Sequence, residues 1–277
     1  MNFITSKASR LIPGLAALAL LLTSHASQAQ TVNLTVAPTS TTLPDGQSVP
    51  MWGYRCTDAG SAGATCAAAN AAIQTAFTAT PPTWPSWSPI VITVPYVGTA
   101  TASTTNLTIN LTNNLTFAGG AIPTSLTIVG QLGGGLGSGG TTSASPVHVG
   151  GGVTWPTANP KTTSTPPAQM PRVQSFGTEV AGGATTALTW NNLRPGTYLI
   201  ESGTHPSIQA PMGLYGILVV TTPANGTTSA QAYPTVAGLP VTSLAVSQYD
   251  ADLPLVLSEI DPLQNASVAT AVATTGC

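Results

Sequence analysis

The chain has 277 residues, 42% hydrophobic and only 5% charged, where an ordinary soluble domain carries about 25% charged residues. Six Lys+Arg against eight Asp+Glu leave a net charge of −2, so no basic field exists to hold nucleic acid or an anionic membrane by counterion release. Aliphatic residues recur along the whole length, which argues against a solvated tract and for a folded, Thr-rich β protein.

At the start, Lys7 and Arg10 precede an apolar run from Leu11 to Leu22, and Ser27-Gln28-Ala29 offers small residues where a signal peptidase reads. Residues 1–29 are expected to be a secretory signal peptide. The run is broken by Pro13-Gly14 and falls short of the about 20 apolar residues a membrane span needs; no other segment is a candidate span. Export would place Cys56 and Cys66 in an oxidising compartment, where a disulfide between them closes a short loop. Cys277, the last residue of the sequence, is then left over: either it pairs with another chain or the chain stops early. Paired Cys-x-x-Cys knuckles for zinc are missing. Six Asn-x-Ser/Thr sequons, at Asn33, Asn106, Asn110, Asn114, Asn225 and Asn265, read mostly as accidents of a Thr-rich composition.

Strand signals follow at short intervals, each bounded by Gly, Pro or Asn, as in a sandwich or barrel rather than in βαβ units. They cover Val32 to Val36, Pro89 to Val94, Thr105 to Leu115, Thr124 to Gly130, Ala187 to Trp190, Thr197 to Glu201, Leu214 to Thr221 and Leu253 to Ile260. In the clearest, Leu107, Ile109 and Leu111 alternate with Thr108, Asn110 and Thr112, one face buried and the other wet. One helix is expected, over Cys66 to Thr78, with Ile73 and Phe77 four apart and Pro81-Pro82 as its stop. From Gln131 to Arg172 glycine clusters give way to Thr, Ser and Pro, a long surface insertion; no Lys-Ser/Thr follows to make it a phosphate cradle. After a linker over Thr222 to Thr228, the Leu253 strand suggests a second domain, so the expected division is 30–221 for one domain and 222–277 for a linker and the first strand of another.

Four segments, in order, resemble the first cupredoxin (plastocyanin-like) domain of multicopper oxidases. They are Leu43-Pro44-Asp45-Gly46 with Met51-Trp52-Gly53-Tyr54, read as an opening strand and its Trp-Gly-aromatic turn; Pro89 to Val94 with Leu111-Thr112-Asn113-Asn114-Leu115; Pro123-Thr124-Ser125-Leu126-Thr127-Ile128-Val129-Gly130; and Arg194-Pro195-Gly196-Thr197-Tyr198 leading through Glu201-Ser202-Gly203-Thr204-His205 to Gly213-Leu214-Tyr215-Gly216. Leu253 to Pro262 is similar to the strand that opens the family's second domain. The resemblance lies closest to the large bacterial multicopper oxidases, including manganese-oxidising ones. It implies an all-β, Greek-key cupredoxin-like sandwich with copper as the family's cofactor, secreted or periplasmic, packed against the remaining cupredoxin domains of a longer oxidase.

The chemistry departs from that pattern. The family's His-x-His positions fall on Thr127 and Val129, and its His-Ser-His positions on Glu201 and Gly203, with Ser202 kept. Hydroxyl, alkyl, carboxylate and hydrogen side chains supply none of the imidazole or thiolate donors that suit copper, so this chain alone is expected to bind no copper and to lack catalytic residues. His205 reads as a turn histidine before Pro206 rather than a displaced ligand, and His148 as an exposed loop residue. A copper carrier built on His205 with Met212 or Met170 is the weaker alternative. Asp250 with Asp252, and Glu259 with Asp261, read as solvated strand-end charges. Ser202 has neither a histidine at triad spacing nor a Gly-x-Ser-x-Gly elbow. Gly213-Leu214-Tyr215-Gly216 and the five tryptophans read as fold rather than site. A stand-alone secreted sandwich for binding or adhesion is the competing reading.

Overall fold

The computed structural model describes residues 30–77, 86–98, 102–131, 133–134, 141–143, 172–222, 230–233 and 248–275. The expected signal peptide, most of the Gly-rich insertion with His148, Trp155 and Met170, and Trp84, Asn225 and Cys277 lie outside the described residues. The chain begins with β1 (Gln30–Thr42), β2 (Ser48–Cys56), β3 (Thr65–Ala68), α1 (Ala71–Phe77), β4 (Ile90–Pro95) and β5 (Leu107–Asn113). Two short pairs come next, β6 (Thr116–Phe117) with β7 (Gly120–Ala121), and β9 (Thr141–Ser143) with β10 (Arg172–Ser175), flanking β8 (Thr127–Val129). Then follow β11 (Thr185–Trp190), β12 (Gly196–Glu201), α2 (Pro206–Gln209), β13 (Tyr215–Thr221), the pair β14 (Ala230–Gln231) and β15 (Gln248–Tyr249), and α3 (Pro262–Ala273).

Two sheets face each other. The first has the order β11-β5-β1-β2 and the second β3-β4-β13-β12-β8. Each holds one parallel pair, β1 with β5 and β4 with β13, among antiparallel neighbours. The chain crosses from sheet to sheet after β2, β4, β5, β8 and β11, which makes this a Greek-key, cupredoxin-like sandwich. The period-two pattern explains why these segments are strands: Val32, Leu34 and Val36 on β1, Leu107, Ile109 and Leu111 on β5, and Ile90, Ile92 and Val94 on β4 all turn inward and are buried. Each such side chain contributes about 1.5–3 kcal/mol by leaving water. Trp52 stacks on Phe117 with ring centroids 5.6 Å apart and closes one end of this core. Among the described residues no helix is long and apolar enough to cross a membrane.

The Sγ atoms of Cys56, at the end of β2, and Cys66, in β3, are bonded, with Cα atoms 5.7 Å apart, so a covalent link joins the two sheets. That link helps to correct one expectation. Cys66 to Ala68 is not helical: it pairs antiparallel with β4, and the helix is confined to Ala71–Phe77, where Asn70 Oδ1 accepts from Ala72 N. Burial of Cys66 and Ala68 in the sandwich overrides their helical preference.

Three further expectations change. Met51-Trp52-Gly53-Tyr54 is no turn but the buried middle of β2. Only Thr127–Val129 of the 124–130 segment pairs as a strand. Residues 251–260, expected to hold a strand that opens a second domain, form no strand among the described residues, and the chain then turns into α3, an element the periodicity did not suggest. Asp261 caps that helix, its Oδ1 accepting from Leu263 N at 2.9 Å and Gln264 N at 3.2 Å, with Pro262 opening the first turn. The helix lies on β2. Asn265, fully buried despite its sequon, donates from Nδ2 to the Pro50 carbonyl at 2.9 Å, and Gly119 N donates to the Val272 carbonyl at 2.8 Å.

Candidate functional site

The four positions aligned with copper ligands lie on β8, on β12 and just past its end. Antiparallel pairing sets Thr127 opposite Glu201 and Val129 opposite Leu199. Thr127 Oγ1 donates to the Glu201 carbonyl at 3.2 Å. A Cβ added to Gly203 would stand 2.6 Å from Thr127 Cγ2 and 3.1 Å from Ser125 Oγ. Thr127, Glu201 and Gly203, positions named by the resemblance, are therefore brought together, with Val129 at the exposed margin.

Beside these positions lies a buried network of hydroxyls. Thr124, Ser125, Ser175, Ser202 and Thr204 are fully buried. Ser202 Oγ and Thr124 Oγ1 both donate to Gln209 Oε1, at 2.6 and 2.8 Å, and Gln209 Nε2 donates to the Pro123 carbonyl at 2.8 Å. Beside them Thr204 Oγ1 lies 3.0 Å from Ser125 Oγ and 3.1 Å from Ser175 Oγ, and reaches Glu179 Oε1 at 3.2 Å. Glu179 also accepts from Gln174 Nε2 at 3.1 Å and Thr141 Oγ1 at 3.3 Å, joining β9 and β10 to the cluster. Because each buried polar group has a partner, the cluster escapes the cost of an orphaned donor or acceptor.

The electrostatics follow from burial. The Tyr54 phenol, beneath the cluster, is pushed well above the usual tyrosine range by desolvation first and by the charge of Glu201 second, with a hydrogen bond to Thr124 acting the other way. Burial likewise pushes the Glu201 carboxyl up. Tyr54 therefore stays a neutral phenol, and its hydroxyl points to the Ser125 carbonyl at 3.5 Å.

His205 is exposed and left-handed, with φ 40°, a conformation in which histidine is enriched among non-glycine residues. Its N–H donates to the Gln174 carbonyl at 3.0 Å, and its own carbonyl accepts from Ile208 N and Gln209 N, so it turns the chain into α2. Met212, its imagined partner, is fully buried. Ser202 has Gln209, not a base, as its partner. In the Gly-Leu-Tyr-Gly run, Gly213 has φ 113°, and a Cβ there would meet Trp87 Nε1 at 2.4 Å. That indole donates instead to the Gly213 carbonyl at 3.0 Å.

These residues do not fit copper. The donors are protonated hydroxyls already engaged with one another, Gly203 has no room for a side chain, and among the described residues no group of three or more His, Cys, Asp and Glu is placed to hold a metal. Sequence reasoning named the ligand positions but missed Tyr54, Ser125, Ser175, Glu179 and Thr204. A signal existed: Thr124 and Ser125 are consecutive hydroxyls in a segment leading to a strand, where a half-exposed strand would alternate.

No protein-family model matches the chain, and no curated protein sequence does. Among solved structures it is similar to a multicopper oxidase from Pseudomonas thermotolerans, at 14% identity and TM-score 0.35 over 69% of this chain and 29% of that one. It is also similar to Lac15 from a marine microbial metagenome, at 14% identity and TM-score 0.32 over 68% and 31%. A third is a multicopper oxidase from Campylobacter jejuni, described as a metallo-oxidase, at 15% identity and TM-score 0.31 over 69% and 25%. The chain thus spans only 25–31% of the length of these proteins. Its own strand order and burial define a cupredoxin-like sandwich with a buried hydroxyl network beside Thr127, Val129, Glu201 and Gly203, the positions the resemblance aligns with copper ligands.

Proposed function

We propose that residues 30–221 form a copper-free cupredoxin-like domain that acts beside the copper-bearing domains of a multicopper oxidase. Its role is to supply packing surface rather than ligands or catalytic groups. The observation that carries this reading is Gly203, whose missing side-chain space is filled by Thr127 Cγ2 and Ser125 Oγ at the centre of the aligned ligand positions. Residues 222–277 would lead toward a further cupredoxin domain. The complete oxidase would oxidise a metal ion such as Mn(II), or a phenolic donor, with reduction of dioxygen, after export directed by residues 1–29 to the periplasm, cell surface or medium. Metal analysis and oxygen uptake on residues 30–277, after copper loading and desalting, test it. Near-zero copper without uptake is expected; stoichiometric copper with oxidase activity overturns it.

A second reading, an exported binding or adhesion module, draws on the outer face of the first sheet. There Thr185, Thr112 and Thr35, and then Thr189, Thr108 and Thr31, line up across three strands with Asn33 and Asn110 between them. A copper-free chain that retains binding to a surface without any oxidase partner would favour this reading.

A further inference from the structure

After β15 residues 251–259 line grooves over β12 and β13 beside Thr197, Leu199, Ile217 and Val219, carry no regular secondary structure, and among the described residues no backbone hydrogen bond ties 251–260 to either sheet. Its ends and one side chain hold it instead. The Tyr249 and Thr221 hydroxyls meet at 2.6 Å, the Tyr215 hydroxyl bonds Ser258, and Asp261 caps α3, which Asn265 anchors to β2. Leu253, Leu255 and Leu257 are 90%, 78% and 87% exposed, while Pro254 and Val256 between them are half-buried. Among the described residues this pinned segment has no backbone partner, and its exposure alternates residue by residue from Leu253 to Leu257 as that of an unpaired strand would.

Its two edges are not equivalent. Alternate residues of an extended chain aim N–H and C=O at opposite edges. Pro254 lacks an N–H, so the edge of Pro254, Val256 and Ser258 is broken, whereas that of Leu253, Leu255 and Leu257 is complete. Charge then selects the occupant. Asp250, Asp252, Glu259 and Asp261, half of the chain's eight Asp+Glu, frame the leucines, with no Lys or Arg among them. A second copy laid antiparallel about Leu255 would set Asp250 and Asp252 of one against Glu259 and Asp261 of the other, a like-charge contact that disfavours self-pairing.

We propose that 251–260 is a strand-addition site for an extended segment of another polypeptide, apolar at alternate positions and flanked by Lys or Arg. The proposal goes beyond the function suggested above and does not depend on where copper binds. The test titrates the full chain into a fluorescent peptide of alternating valine and threonine with paired lysines at both ends, read by anisotropy at low salt. Saturable binding is expected, weakened about tenfold by Leu255→Pro, which removes an N–H from the complete edge. Asp252→Lys with Glu259→Lys leaves two carboxylates against two ammonium groups around the leucines and should abolish the parent's preference for the lysine-ended over a glutamate-ended peptide. All three positions are exposed, so far-UV circular dichroism of the variants should match the parent. Absence of binding, equal binding of both peptides by the parent chain, or indifference to Leu255→Pro overturns the proposal. So does a concentration-dependent dimer that Leu255→Pro abolishes, which would assign the segment to self-pairing.

Discussion

Replacing Gly203 by alanine places a methyl 2.6 Å from Thr127 Cγ2, 3.1 Å from Ser125 Oγ and 3.4 Å from Phe176 Cβ. Carbon atoms prefer about 3.5–4.0 Å, so the first contact is short by about 1 Å. Overpacking of this kind costs about 1–3 kcal/mol. Gly203 is not among the positive-φ residues, so the backbone adds no strain, and the stiffer unfolded chain returns about 0.4–1 kcal/mol. The net expectation is a loss of about 1–2 kcal/mol, or about 2–4 °C in Tm per kcal/mol for a domain of this size. Thr127→Ser removes the offending methyl while keeping the hydroxyl that donates to Glu201. In that background Gly203→Ala should cost almost nothing, a coupling of about 1 kcal/mol or more in a double-mutant cycle. Urea unfolding followed by tryptophan fluorescence reads all four proteins. If the effects are additive, or the single change is silent, the packing argument at the aligned ligand positions fails, and with it the claim that no side chain fits there.

Thr204→Val keeps the shape but leaves Ser125, Ser175 and Glu179 short of a partner, and should cost about 1–3 kcal/mol in the same assay, with Thr204→Ser recovering most of it. Glu201 binds its proton more tightly in the folded chain than in the unfolded one, so it favours folding at low pH and that contribution fades as pH rises through its raised pKa. Stability of Glu201→Gln measured against pH should therefore lack this decline above the ordinary glutamate range; an unchanged slope would show that the carboxyl is solvated. Asp261→Ala removes two capping bonds and should cost about 1 kcal/mol. Faster hydrogen exchange confined to α3 is the signature to seek.

The sandwich was legible wherever one face of a strand is wet. On β5 the alternation of Leu107, Ile109 and Leu111 with hydroxyl and amide residues fixes both the element and its inward side. At 253–257 leucines alternate as well but face water, because periodicity reports two faces without saying which one is buried. Helix α3 escaped notice since its Ala, Ser and Thr residues carry little apolar contrast, although Asp261-Pro262 is a cap-and-start pair. At the site, the resemblance named Thr127, Glu201 and Gly203, yet the network beside them joins Ser125 to Ser175 and Thr204, partners 50 and 79 positions away. Such long-range satisfaction has no local signature.

The parallel pairs set the tempo of folding. β1 sits inside its sheet against β5, Gln30 beside Leu107, and β4 waits for β13, Ile90 beside Gly216. A chain made from its N-terminus therefore carries its first strand unpartnered on one side until much later residues arrive, and the second sheet closes only when β13 is complete. High contact order of this kind belongs to folding in milliseconds to seconds rather than microseconds. During that interval β1 is an uncharged strand with one open edge, the kind of surface through which folding intermediates associate.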